Sequence, residues 1–292
     1  MKVSLLNIRH QGPVIAALVR TGLGAGKIAR GGAQEGARPE VSAVLDPRPA
    51  GLVSQYIRFT GGDPSWYRGT VPPHMFPQWA FPLLGQVLAG QPYDMKKVLN
   101  GGAEIVINAP IPVGEKLTVK ARLADVTETE TAVLLRQEVT TGTQKDPEAL
   151  VCAVMAVVPK KGSGKGKKSR PLVPEDFREL GRISFPAGTG FSFALLTGDF
   201  NPIHWIPAAA RMSGFKNAIG HGFCTMARTM EIVNRNLLCQ KPYALRSFSC
   251  RFVRPLTLPA QAGVYIGPEG HIHTAPGKGA TPYLSGTYGL RD

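Results

Sequence analysis

LTGDFNPIHWIPAAARMSGFKNAIGHG, residues 196–222, sets an acid, an amide and two histidines among glycines and prolines. Asp199, Asn201 and His204 share one short segment, GDFNPIH. Pro202 has no N–H and biases Asn201 away from helix, so the segment reads as a loop. Gly198 admits a backbone angle that other residues resist. Gly222 precedes the largely apolar run 223–238. A glycine opening a helix there offers a backbone N–H at the positive end of a helix dipole. A carboxylate, an imidazole and such a donor suit proton transfer to and from water beside a carbonyl.

The order TGDFNPIHW, then Gly-Phe, then IGHGF resembles the MaoC-like (R)-specific enoyl-thioester hydratase or 3-hydroxyacyl-thioester dehydratase signature. The resemblance implies Asp199 and His204 as catalytic residues, Gly222 as oxyanion donor and Asn201 as support; His221 reads as a support of the turn before the helix, with contact behind the site left open. It implies no metal and no cofactor beyond the coenzyme A or acyl-carrier phosphopantetheine of the substrate; a cofactor-binding residue is not assigned. One departure is visible. The family usually carries Asp-Pro two residues after the histidine, where this chain has Ile206-Pro207, and that Asp caps the next short helix.

Length and composition bound the rest. The 292 residues suit about two domains of ~150 residues, and 43% hydrophobic content can fill real cores. Cys152, Cys224, Cys239 and Cys250 show no CxxC spacing, consistent with a reducing, cytoplasmic setting. The net charge of +14 invites a nucleic-acid reading. However, 159–170 hold six basic residues and no acid, and the first forty residues hold six basic and two acidic ones. Much of the excess therefore sits on linker-like segments, no common nucleic-acid motif appears, and the expectation is no nucleic-acid partner. The remaining positive surface suits coenzyme A phosphates or an acidic carrier protein. No apolar stretch nears ~20 residues, so stable membrane insertion is not expected. Arg9 and His10 interrupt the early apolar run, which argues against a signal peptide.

In chain order, 1–45 reads as a lead segment in which GLGAGK, 22–27, lacks the Ser or Thr of a phosphate loop. Residues 46–158 read as a first domain: a helix at 51–60, a Pro-rich lead into LLGQVLAG that Pro82 should kink or delay, then β-rich runs. Residues 159–171 form a Lys/Gly-rich linker. Residues 172–292 repeat the plan. FTGGDP, 59–64, echoes LTGD, 196–199, and His74-Met75-Phe76 echoes His221-Gly222-Phe223. The expectation is an α+β tandem hotdog, each copy a long helix wrapped by a curved antiparallel sheet. The copies would form a pseudo-dimer within one chain, with a homodimer of chains left open. Arg68 stands where the first copy needs His, which implies one active site per chain, in the second copy. In resembled two-copy enzymes the degenerate half admits longer acyl chains.

Four further groups have blander readings. Cys224 reads as a buried structural thiol. His271 and His273, two ligands without a third, read as surface histidines. Trp66, Trp79, Phe81 and Trp205 read as core. A hotdog thioesterase and a non-catalytic acyl-thioester-binding protein are the competing functions.

Overall fold

The structure is a computed structural model that describes residues 3–22, 39–89, 91–93, 98–160 and 170–291. Most of GLGAGK and residues 161–169 of the Lys/Gly-rich linker lie outside the described residues.

The first half runs α1 (Gly12–Gly22), β1 (Glu40–Leu45), α2 (Ala50–Thr60), α3 (Pro64–Tyr67), β2 (Thr70–Val71), α4 (Pro77–Leu88), β3 (Leu99–Ile107), β4 (Ile111–Pro112), β5 (Leu117–Glu128), β6 (Ala132–Gly142) and β7 (Leu150–Pro159). The second runs β8 (Arg178–Phe185), α5 (Thr189–Thr197), α6 (Pro207–Met212), α7 (Gly222–Asn236), β9 (Leu245–Phe252), β10 (Ala260–Ile266), β11 (His271–Ala275) and β12 (Leu284–Leu290). Strands β5 and β6 show the period-two burial of a sheet with one face on a core.

Ten strands form one antiparallel sheet in the order β1-β5-β6-β7-β3-β9-β12-β11-β10-β8. Read from its two ends, the order is the same: β1 matches β8, β5 matches β10, β6 matches β11, β7 matches β12 and β3 matches β9. The two copies therefore meet where β3 pairs with β9, from Gly102 opposite Arg251 to Val106 opposite Ser247. This is a double hotdog, a pseudo-dimer within one chain.

Local details repeat between the copies. Gly61 and Gly198 both close a helix in the left-handed region, at φ 106° and 84°. Thr60 and Thr197, just before them, each donate a hydroxyl back to the carbonyl four residues earlier. His74 packs on Tyr56 with ring centroids 5.5 Å apart, and His221 packs on Phe193 at 4.9 Å.

Two expectations change. The first copy begins at Glu40 and not at residue 46, because β1 pairs along β5 from Glu40–Arg122 to Leu45–Leu117. Residues within 3–22 also pack against α4 and α5, so this part of the 1–45 segment is docked and not merely leading. Secondly, α4 starts at Pro77 and runs through Pro82, so the proline does not delay the helix. A mid-helix proline costs about 3 kcal/mol, whereas burying Trp79, Leu83, Leu84 and Val87 contributes roughly 1.5–3 kcal/mol for each. The buried face wins.

Helix α7 ties the halves together by one polar face. Arg228 donates to Phe59 O at 3.1 Å, and Arg235 donates to Gly61 O. Between them Glu231, 2% exposed, accepts from the Tyr67 hydroxyl at 2.8 Å and lies 3.2 Å from His74 Nε2. A Cβ on Gly62 would fall 2.5–2.7 Å from the Glu231 carboxyl atoms, so the carboxylate lies directly on the turn before Asp63. Removing one member of such a buried group leaves the others unpartnered. Glu231→Ala is expected to cost about 3–5 kcal/mol in urea unfolding, and Tyr67→Phe markedly less; equal, small losses would show that the seam does not hold the halves.

Candidate active site

The site is built on the turn that leaves α5. Gly198 ends that helix, with its N–H bonded to Ala194 O. Asp199 follows, half-buried, and its Oδ1 accepts from Asn201 N at 3.3 Å. The Asn201 Oδ1 accepts in turn from Ile203 N at 3.3 Å and caps the short 3-10 turn Pro202–His204. These two Asx-type bonds explain why the loop needs those residue types: each short side chain folds back on the backbone two residues ahead. Asn201 itself is exposed and acts here as a cap.

His204 leaves this turn with Nδ1 2.9 Å from Ile219 O. A carbonyl only accepts, so Nδ1 carries the proton and Nε2 of the neutral ring keeps its lone pair. The fit is tight. A Cβ on Gly190 of α5 would lie 1.7 Å from His204 O, so only glycine lets the loop backbone approach there.

His221 is the second surface of the site. Its ring stacks on His204 with centroids 3.7 Å apart and 26° between planes. It is 2% exposed, and its Nε2 donates to Asp199 O at 3.0 Å. Burial, and then the neighbouring His204, lower its pKa to about 3. It is therefore a neutral ring, and its 3.8 Å approach to Asp199 Oδ2 is not an ion pair. Gly222 follows at the first turn of the fifteen-residue α7, where backbone N–H groups have no partner within the helix. A Cβ at Gly222 would lie 2.6–2.8 Å from the Phe252 ring, which explains glycine there.

Asp199, His204 and His221 each bring an ionisable atom within 4.8 Å of the other two. These groups are also the ones that could face a metal ion. His221 Nε2, however, is already donating to Asp199 O, and His204 Nδ1 is turned to Ile219 O. The arrangement suits a water held between carboxylate and imidazole beside a helix N-terminus.

Several sequence readings resolve here. Asp199, His204, His221 and Gly222 converge on one place; Asn201 supports them. Arg68 and Asp63 build no counterpart, since Asp63 caps α3 through Ser65 N and Arg68 closes α3 in the left-handed region. Trp205 was expected in the core but is half-buried: its indole donates to Phe200 O at 3.1 Å and its ring lies 5.5 Å from Phe191, closing the loop on itself. Trp79 is core, donating to Thr141 Oγ1. Phe81 packs on Phe223, and Trp66 lies half-buried under Arg235. Cys224 is buried, with its pKa raised to about 11 by burial, as a structural thiol should be. His271 is exposed, but His273 is not a surface residue: it is buried against Phe177.

Residues 188–284 match the family model described as "MaoC like domain". The second half is a MaoC-like domain. Residues 62–152 match a second model, "FAS1-like, dehydratase domain region", so both copies carry dehydratase-type domains. Among curated relatives, "3-hydroxyacyl-thioester dehydratase X" of Mycobacterium tuberculosis is 42% identical over 74 residues, 25% of each chain. "Enoyl-CoA hydratase 2, peroxisomal" of Arabidopsis thaliana is 25% identical over 191 residues, covering 58% of this chain and 59% of that one. The matches thus span between a quarter and three-fifths of these relatives. The crystal structure of HtdX from Mycobacterium tuberculosis superposes with a TM-score of 0.70 at 25% identity, covering 86% of this chain and 100% of that one.

Two predictions follow from the geometry of the MaoC-like domain. Ile206 sits at the N-cap of α6 without a side-chain cap bond. Ile206→Asp is expected to raise stability by about 0.5–1 kcal/mol, read as a higher urea midpoint; no gain would mean the Trp205 closure already supplies what a cap would. For His221, the unfolded ring takes a proton below about 6.5 while the folded one resists until about 3. Its contribution is thus complete above pH 6.5 and is lost as pH falls toward 3, up to about 4–5 kcal/mol in full. The slope of stability against pH in that window should flatten in His221→Gln; an unchanged slope would assign the acid sensitivity elsewhere.

Proposed function

We propose that this protein is a hydro-lyase that adds water to trans-2-enoyl thioesters, giving 3-hydroxyacyl thioesters, and runs the reverse dehydration. The observation that carries the reading is the Asp199–His204 pair, held beside the N-terminus of α7 with His204 Nε2 left to meet a water. The relatives' names, hydratase and dehydratase, support the same reaction type.

In hydration, Asp199 and His204 hold one water, its oxygen bonds to C3, and one of its protons ends on C2. The negative charge that builds on the thioester oxygen meets the Gly222 N–H, a donor worth about 3–4 kcal/mol in comparable oxyanion sites. Dehydration runs the same transfers backward. Neither direction changes oxidation state, so the scheme calls for no redox group. The substrates would be coenzyme A or acyl-carrier thioesters of medium to long chain, with R stereochemistry at C3.

The test follows loss of enoyl-thioester absorbance with short and long trans-2-enoyl-CoA, alongside a free-thiol assay. Asp199→Asn and His204→Ala should each slow hydration by more than about a hundredfold while remaining folded. Thiol release without hydration would replace the reading with a thioesterase. Binding without turnover, on both coenzyme A and acyl-carrier esters, would replace it with an acyl-thioester-binding protein.

A further inference from the structure

The turn that launches the active loop is braced from the far end of the chain. Gln11, between the 3-10 turn Leu5–His10 and α1, is fully buried. Its Nε2 donates to Leu195 O at 3.1 Å, one of the last-turn carbonyls of α5. Such carbonyls have no partner within their own helix, so this bond fills a vacancy at the point where the helix becomes the loop. The Gln11 Oε1 accepts from Gln78 Nε2 on α4 at 3.2 Å, and Gln78 Oε1 accepts from Arg48 Nη1 at 3.1 Å. Gln78 is buried as well.

The bonds all run one way. A guanidinium stands at one end, two amides pass the polarity along, and the end carries the negative pole of the α5 dipole at the other. Each amide uses its oxygen toward the cation and its nitrogen toward the helix end. The same segment also fills the space against Gly198: a Cβ there would meet Val14 Cβ at 2.6 Å and Gln11 Oε1 at 3.2 Å. Gly198 is the residue immediately before Asp199, and its left-handed φ of 84° sets the direction of the loop.

We infer that Gln11 is a positioning residue for the Asp199–His204 loop, relaying support from Arg48 and Gln78 in the first copy to the end of α5 in the second. The inference rests on the hydratase reading for its activity readout alone. It makes the N-terminal segment a working part of the site, and it gives the copy without chemistry a mechanical role in the copy that has it.

The experiment uses the full chain with Gln11→Met, which keeps the length of the side chain and removes both bonds. Hydrogen exchange of the peptide spanning 196–206 should speed up while the sheet exchanges as in wild type; this readout needs no substrate. With enoyl-CoA, kcat should fall about ten- to a hundredfold, the scale on which small misplacements of reacting groups act, with KM changed less than kcat. Gln11→Met combined with Gln78→Met should be no slower than the worse single variant, as expected of one connected unit. Unchanged exchange in 196–206 overturns the inference whatever the activity. So does wild-type kcat well below the melting temperature, or multiplied losses in the double variant. Absence of hydration in the wild type would instead strike at the hydratase reading and leave the exchange result to judge Gln11.

Discussion

The pairing of β3 with β9 is the constraint on which everything else rests. It fuses two five-stranded units into one sheet and fixes how the helices of each copy face the other. The contact is close: a Cβ on Gly102 would lie 2.1 Å from Cys250 O, so the backbones meet there only because that residue is glycine. With the sheets joined, α7 of the second copy lies against the α2–α3 turn of the first, and its polar face finds partners there. One hydrophobic core runs through both halves, from Leu52 and Trp79 to Phe223 and Ile272. Neither copy buries its long helix alone.

The fusion gives the copies different work. In the second, the turn after α5 packs on Val14 and Gln11 of the N-terminal segment, and the loop beyond it carries a carboxylate and an imidazole side by side. In the first, the corresponding turn is filled. The Glu231 carboxylate lies on Gly62, Tyr67 and His74 bind it, and Asp63 is spent on capping α3. Burying a carboxylate is costly unless every oxygen finds a partner. Asn234 donates to its other oxygen at 3.3 Å. The lost site has thereby become a joint between halves.

Within the remaining site, the environment of one histidine conditions the other. His221 is kept neutral by burial, and a neutral ring can stack flat on His204 without like-charge repulsion. The bonds from His204 Nδ1 to Ile219 O and from His221 Nε2 to Asp199 O lock both rings. Preorganised groups of this kind do not have to be reoriented when charge develops, which is where such sites gain their effect.

The sequence by itself determined the Asp-x-Asn-Pro-x-His loop and the doubled plan. Asp199, Asn201, Pro202 and His204 are close in the chain, and their local bonds are short-range, so spacing and turn chemistry were enough to read them. The echo of Thr-Gly and His-x-Phe between halves was legible for the same reason. Tertiary structure alone decided what depends on distant partners. β1 alternates between exposed and half-buried positions over only six residues at the sheet edge, and its place in the fold is set by pairing with β5. His221 reads as a turn residue until the fold lays it on His204. Glu231 looks like an ordinary charge on an amphipathic helix, and Gln11 like one polar residue in a lead segment. Glu231 meets Tyr67 and His74, and Gln11 meets Leu195, 157 to 184 positions away, and polar groups buried at such separations take their meaning from burial, which no local pattern encodes.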